Sequence, residues 1–88
     1  MLNDKIAIVT GAASGIGYAV AQALRQEGAQ VVMADVNEAL LRESARKLGG
    51  VPFVGNLTKR EDCRQLVDFT AQRFGRIDIL AHVAGVQH

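Results

Sequence analysis

The stretch Thr10-Gly11-Ala12-Ala13-Ser14-Gly15-Ile16-Gly17 gathers three glycines and a hydroxyl between the apolar run Ile6-Ala7-Ile8-Val9 and a segment of helical periodicity. A strand that turns through glycines into a helix brings unpaired backbone amides and the positive end of the helix dipole to one point, which suits a phosphate group. Gly11 would give the tight turn out of the strand. Gly15 and Gly17, lacking Cβ, would let a pyrophosphate approach the backbone and let the helix pack close to the sheet. Ser14 adds a hydroxyl donor, and Ile16 lies between the two later glycines. The second feature is Asp35, which follows Gly17 at just under the roughly 20-residue spacing at which an acid hydrogen-bonds an adenosine ribose. A carboxylate there accepts from both ribose hydroxyls and repels a 2′-phosphate, and Ala13, Ser14 and Val36 supply no cation to hold that phosphate. The pattern favours NAD over NADP.

These residues need a scaffold, and the rest of the chain supplies its outline. Ile6-Ala7-Ile8-Val9 and Val31-Val32-Met33-Ala34 are apolar without polar alternation, as in parallel strands covered on both faces. A shorter strand is expected around Val51 to Val54, and a fourth over Ile77 to Val83 with Asp78 near its start. Between them lie three helices. Ile16, Ala19, Val20, Ala23 and Leu24 form the apolar stripe of the first, which Gly28 stops. Asn37 would cap the second, and Gly49-Gly50 would end it. In the third, Thr58 and Glu61 make a capping-box pair, with Cys63, Leu66, Val67, Thr70, Ala71 and Phe74 as the buried stripe before Gly75. With right-handed crossovers, the four strands take the order 3-2-1-4, the first two helices on one face and the third on the other. This is an α/β fold, the N-terminal half of a doubly wound, Rossmann-type parallel sheet, in a single partial domain over residues 1–88.

The glycine spacing Thr-Gly-x-x-x-Gly-x-Gly resembles that of the classical short-chain dehydrogenase/reductase family. The resemblance continues through Asp35, the corner Gly55-Asn56-Leu57-Thr58, and Arg76-Ile77-Asp78-Ile79-Leu80-Ala81-His82-Val83-Ala84-Gly85. It implies that Gly11, Ser14, Gly15, Ile16 and Gly17 border the pyrophosphate and nicotinamide side of NAD. Asp35 would then hold the ribose, Asn56 and Leu57 would face the adenine, and Ala84 and Gly85 would line the path between. The family's usual Asp is Asn56 here, which keeps a carbonyl acceptor and adds donors. Its Asn-Asn-Ala-Gly stands here as His82-Val83-Ala84-Gly85, so the side-chain bonds that brace the sheet in the family are not available to Val83. His82 reads as a structural histidine. The run Gly85-Val86-Gln87-His88 is similar to a stretch of hydroxybutyrate dehydrogenases, which implies that Gln87 faces a small hydroxy-acid substrate.

The family performs its chemistry with a Ser, a Tyr-x-x-x-Lys pair and an Asn beyond the region matched here. The only tyrosine is Tyr18, with Gln22 four residues on, so a cation-assisted tyrosinate cannot be assembled from these residues. Catalytic residues within the chain are therefore none. In complete form the resemblance implies hydride transfer between NAD(H) and a secondary alcohol or ketone. The alternatives are a stand-alone NAD-binding module and a non-catalytic truncated product. An S-adenosylmethionine-dependent methyltransferase, which also carries an acid after its second strand, fits the 10–17 turn less well.

Composition excludes other classes. The 88 residues are 49% apolar and 22% charged, with a net charge of +1 and no basic block, so neither nucleic acid nor a membrane surface is an expected partner. No apolar run approaches a membrane span. One cysteine, Cys63, cannot form an internal disulfide and reads as a small core residue; no metal set is present, and the cytoplasm is the expected address. Half a sheet leaves an open edge, which predicts self-association or dependence on further chain.

Overall fold

The apolar runs become strands because each must be covered from both sides, and the amphipathic stretches between them supply the cover. The computed structural model describes residues 1–83. The elements are β1 (Ile6–Thr10), α1 (Gly15–Gln26), β2 (Gln30–Asp35), α2 (Glu38–Leu48), β3 (Val51–Val54), α3 (Arg60–Phe74) and β4 (Ile79–His82). The sheet order is β3-β2-β1-β4 and every pairing is parallel, with Ile8 opposite both Val32 and Leu80. The expected order 3-2-1-4 is therefore the observed one.

Alternation along β1 and β2 divides the core in two. Ala7, Val9, Val31 and Met33 point to the face covered by Ala21 of α1 and by Leu41 and Ala45 of α2. Ile8, Val32 and Ala34 point to the other face, where Leu66 of α3 and the half-buried Phe53, Phe69 and Phe74 meet them. Burying a side chain such as Leu41, which is fully enclosed, contributes about 2 kcal/mol. No helix among the described residues is long and apolar enough to cross a membrane.

Two helical stripes differ from expectation. In α1 the inward residues are Gly17, Val20, Ala21 and Leu24, whereas Ala19 and Ala23 face solvent and Ile16 is 62% exposed. The stripe is turned because Gly17, not Ile16, meets the Gly11–Ala12 turn that follows β1. In α3, Leu66 and Thr70 are buried, but Val67 and Ala71 are exposed on the flank away from the sheet. The capping box also fails to form. Both the amide and the hydroxyl of Thr58 donate to Asn56 Oδ1, so α3 starts one residue later with Lys59 as its cap and no side-chain cap bond. Asn37 does cap α2, its Oδ1 accepting the Leu40 amide at 3.2 Å.

Strand β4 begins at Ile79 rather than Ile77 because Asp78 anchors the strand instead. Asp78 Oδ2 accepts the Ile6 amide at 2.8 Å, and the Asp78 amide donates to the Ile6 carbonyl at 2.8 Å. Arg76 donates to Asp78 Oδ1 through Nη2 at 2.7 Å and through Nε at 3.1 Å. The Arg76 hydrogen bond, followed by the Ile6 amide, holds the Asp78 carboxyl below its ordinary 3.8. A carboxyl lowered in the folded state stabilises the fold above its unfolded value, and that contribution is lost as pH falls through the folded value. Asp78→Asn should accordingly melt below the parent chain at neutral pH, with the gap closing as the buffer is acidified below 3.8. A gap independent of pH in thermal melts would remove the charged role of Asp78.

Candidate functional site

The site begins where β1 ends. Gly11 leaves the strand with φ +66°, and Gly15 opens α1 with φ +62°, both in the left-handed region that glycine enters without penalty. Gly17 serves a different purpose: a Cβ there would overlap the Gly11 carbonyl oxygen, so the first turn of α1 lies directly on the turn that precedes it. Ser14 occupies the cap position of α1 with an exposed side chain that makes no cap bond. The first amides of a helix have no carbonyl four residues back, so those of α1 are left for an external acceptor.

Asp35, at the end of β2, crosses to this turn. Its Oδ2 accepts the Ala13 amide at 3.0 Å, while Oδ1 accepts the amides of Val36 at 2.7 Å and Asn37 at 3.2 Å. The carboxylate thus straps the glycine turn to the β2–α2 corner, and with about four acceptor positions it retains capacity for one more donor. The Ala12 amide donates to the Ala34 carbonyl beside it. From α2, the buried Ser44 hydroxyl donates to the Ala13 carbonyl at 2.8 Å.

These pieces wall a groove of about 620 Å³. Gly11, Ser14, Gly15, Ile16 and Gly17 form one side, and Asp35, Val36, Asn37, Leu40, Gly55, Leu57 and Thr58 form the rest, with Val83 at the end of β4. Of the residues singled out in the sequence, those of the glycine turn, Asp35 and Leu57 therefore meet in one place. Asn56 stands behind this wall rather than in it. Its Oδ1 is committed to Thr58, and its amide donates to Asp62 Oδ2 at 2.7 Å. The Cys63 thiol donates to the Leu57 carbonyl at 3.1 Å, which gives this free cysteine a role in the same corner. Ala84, Gly85 and Gln87 lie outside the described residues.

Three other side chains have structural settings. Tyr18 packs on the core that α1 and α2 share. His82 Nδ1 lies 3.0 Å from Thr10 Oγ1, and that hydroxyl also accepts the Val83 amide at 3.0 Å. His82 thereby ties β4 to β1 through its side chain, and Val83 does so through its backbone amide. Among the described residues no group of acidic, histidine or cysteine side chains could hold a metal ion. Ser44 carries no motif in the sequence, although a serine beside Leu41 and Ala45 on an apolar stripe implies a buried partner.

A parallel sheet ordered 3-2-1-4, a glycine turn from β1 into α1 and an acid ending β2 together define a Rossmann-type α/β domain. The chain belongs to the short chain dehydrogenase family, whose model matches residues 5–88. It is 40% identical over 97% of its length to zerumbone synthase of Zingiber zerumbet and 41% identical, again over 97%, to tropinone reductase-like 1 of Erythroxylum coca. It covers 33% and 32% of those proteins, about a third of their length. The 3-ketoacyl-(acyl-carrier-protein) reductase of Brucella melitensis, whose crystal structure is complexed with NADH, superposes with a TM-score of 0.86 and 30% identity. That match takes in 91% of this chain and 34% of the reductase.

The two later glycines should respond differently to a methyl group. Gly17→Ala meets backbone and should cost about 3 kcal/mol or more, whereas Gly15→Ala has open space and bears only the left-handed penalty of about 1 kcal/mol. Urea unfolding of both variants measures this, and equal losses would contradict the packing role of Gly17.

Proposed function

We propose that this chain is the NAD-binding portion of a dehydrogenase whose complete form moves a hydride between NAD(H) and a secondary alcohol or ketone. The observation that carries it is the placement of the uncapped α1 amides and the Asp35 carboxylate on one groove. The amides of the 14–17 turn suit the pyrophosphate, and the absence of any atom within 4 Å of a Cβ at Gly15 leaves room for its approach. Asp35 would take a ribose hydroxyl with its remaining acceptor capacity, and Leu57 would lie against the adenine with Asn56 fixing that corner. Ala84 and Gly85 would complete the cofactor path. NAD supplies the hydride acceptor; these residues hold and orient it, and the proton-transfer groups would come from sequence that the chain does not contain.

The substrate reading rests on resemblance. In the complete enzyme Gln87 would face a small hydroxy acid. The near-balanced charge and single free cysteine fit a cytoplasmic address. The outer edge of β4, and beside it Leu80, which is 63% exposed on the face that α3 shares, would be covered by further chain or by a second copy.

Isothermal titration tests the cofactor reading. NADH should bind, NADPH should bind more weakly, and Asp35→Asn should lose about tenfold or more in NADH affinity, the range for a hydrogen bond to a charged group. Equal affinity for both cofactors, or no loss in the variant, would overturn it. The exposed edge makes a second prediction: sedimentation of the 88-residue chain should show dimers or larger species that Leu80→Lys reduces. A monodisperse monomer with a cooperative melt would count against the open edge.

A further inference from the structure

Ser44 belongs to no glycine-turn or acid motif, yet its hydroxyl reaches the centre of the turn. It lies in the middle of α2, is 5% exposed, and donates to the Ala13 carbonyl at 2.8 Å. The amide on the other side of Ala13 is held by Asp35 Oδ2. Ala13 is therefore fixed through both its peptide groups, by two different elements.

The consequence follows from peptide geometry. The Ala13 carbonyl and the Ser14 amide share one planar unit, and no described peptide bond is cis. In a trans unit the C=O and N–H point in opposite directions. With the carbonyl drawn inward to the buried Ser44, the Ser14 amide is directed outward, on the exposed side of the turn where Ser14 lines the groove. Without the hydroxyl, the Ala13 carbonyl would have lost its buried donor, and a rotation of the 13–14 peptide toward water would restore a partner while turning the Ser14 amide away.

We propose that Ser44 is a positioning residue that sets the 13–14 peptide plane so that the Ser14 amide faces a bound phosphate. It acts from the far side of the turn and does not touch the ligand. This rests on the nucleotide reading above and adds to it a residue whose effect is confined to the phosphate. Aspartate at position 35 holds the same turn from β2 and serves the ribose side; Ser44 holds it from α2 and serves the anion side.

The experiment compares ligands with and without phosphate on the 88-residue chain: adenosine, ADP and NADH, each titrated into the parent, Ser44→Ala and Ser44→Thr. The Ala variant should lose about threefold to tenfold in affinity for ADP and NADH while its adenosine affinity is unchanged, and Thr, which keeps the hydroxyl, should recover most of the loss. Circular dichroism melts of the three proteins establish that the fold persists at the titration temperature. A general structural defect would lower adenosine and ADP affinity by the same factor, and that result would overturn the proposal. So would an Ala variant that binds ADP as the parent does. If the parent itself fails to bind ADP and NADH, the nucleotide reading falls, and the Ser44 proposal with it; normal parental binding with an unaffected variant removes the Ser44 proposal alone.

Discussion

The contact between Gly17 and the Gly11 carbonyl fixes the rest of the site. Because no side chain separates them, α1 sits directly on the turn that feeds it, and its rotation about its own axis is set by that contact. Once Gly17 faces the sheet, Val20, Ala21 and Leu24 must follow one helical turn at a time, and Ile16 is carried out to the groove. The same contact seats the N-terminus of α1 at the groove, and its first amides, which point along the helix axis, open onto it. Packing and binding geometry are thus consequences of one close approach.

Around that contact the turn is held by charge and hydroxyl as well as by the burial of Ala12 and Ala13 in the core. Asp35 gathers three backbone amides from both sides of the β1–α1 and β2–α2 corners. Such bonds to a carboxylate are stronger than neutral ones, so the acid proposed to take the ribose also keeps the turn in register with β2. Its neutralisation would loosen the turn as well as the ligand contact. On the opposite side of the sheet, the Asn56–Asp62 and Leu57–Cys63 bonds pin the third corner to α3. The first two corners are tied to α2 through Ser44 and Asn37, and the third to α3.

Much of this was legible in the sequence because it depends on local rules. The continuous apolar runs gave parallel strands, and the strand order followed from crossover handedness. Asn37 and Gly49 marked the ends of α2 through side-chain and φ preferences that hold regardless of surroundings. The phase of α1 was not legible in the same way, since Ile16 satisfies helical periodicity as well as Gly17 does, and only the tertiary contact with Gly11 decides between them. Thr58 and Glu61 have the right spacing for a capping box, but Asn56 competes for Thr58 and wins with two bonds to one oxygen. The same competition draws the Asn56 side chain into its own turn. Ser44 lacked a motif, and its partner lies 31 residues away.

On the proposed function, the anion-binding face of the chain is the 14–17 turn, set by Gly17 and strapped by Asp35. Titrating NADH into uniformly ¹⁵N-labelled chain and following the amide resonances tests it residue by residue. The largest shifts should fall on Ser14, Gly15, Ile16 and Gly17, with a second group at Val36 and Asn37 beside the Asp35 carboxylate. Shifts concentrated on α3 and β4, with the glycine turn unmoved, would contradict it.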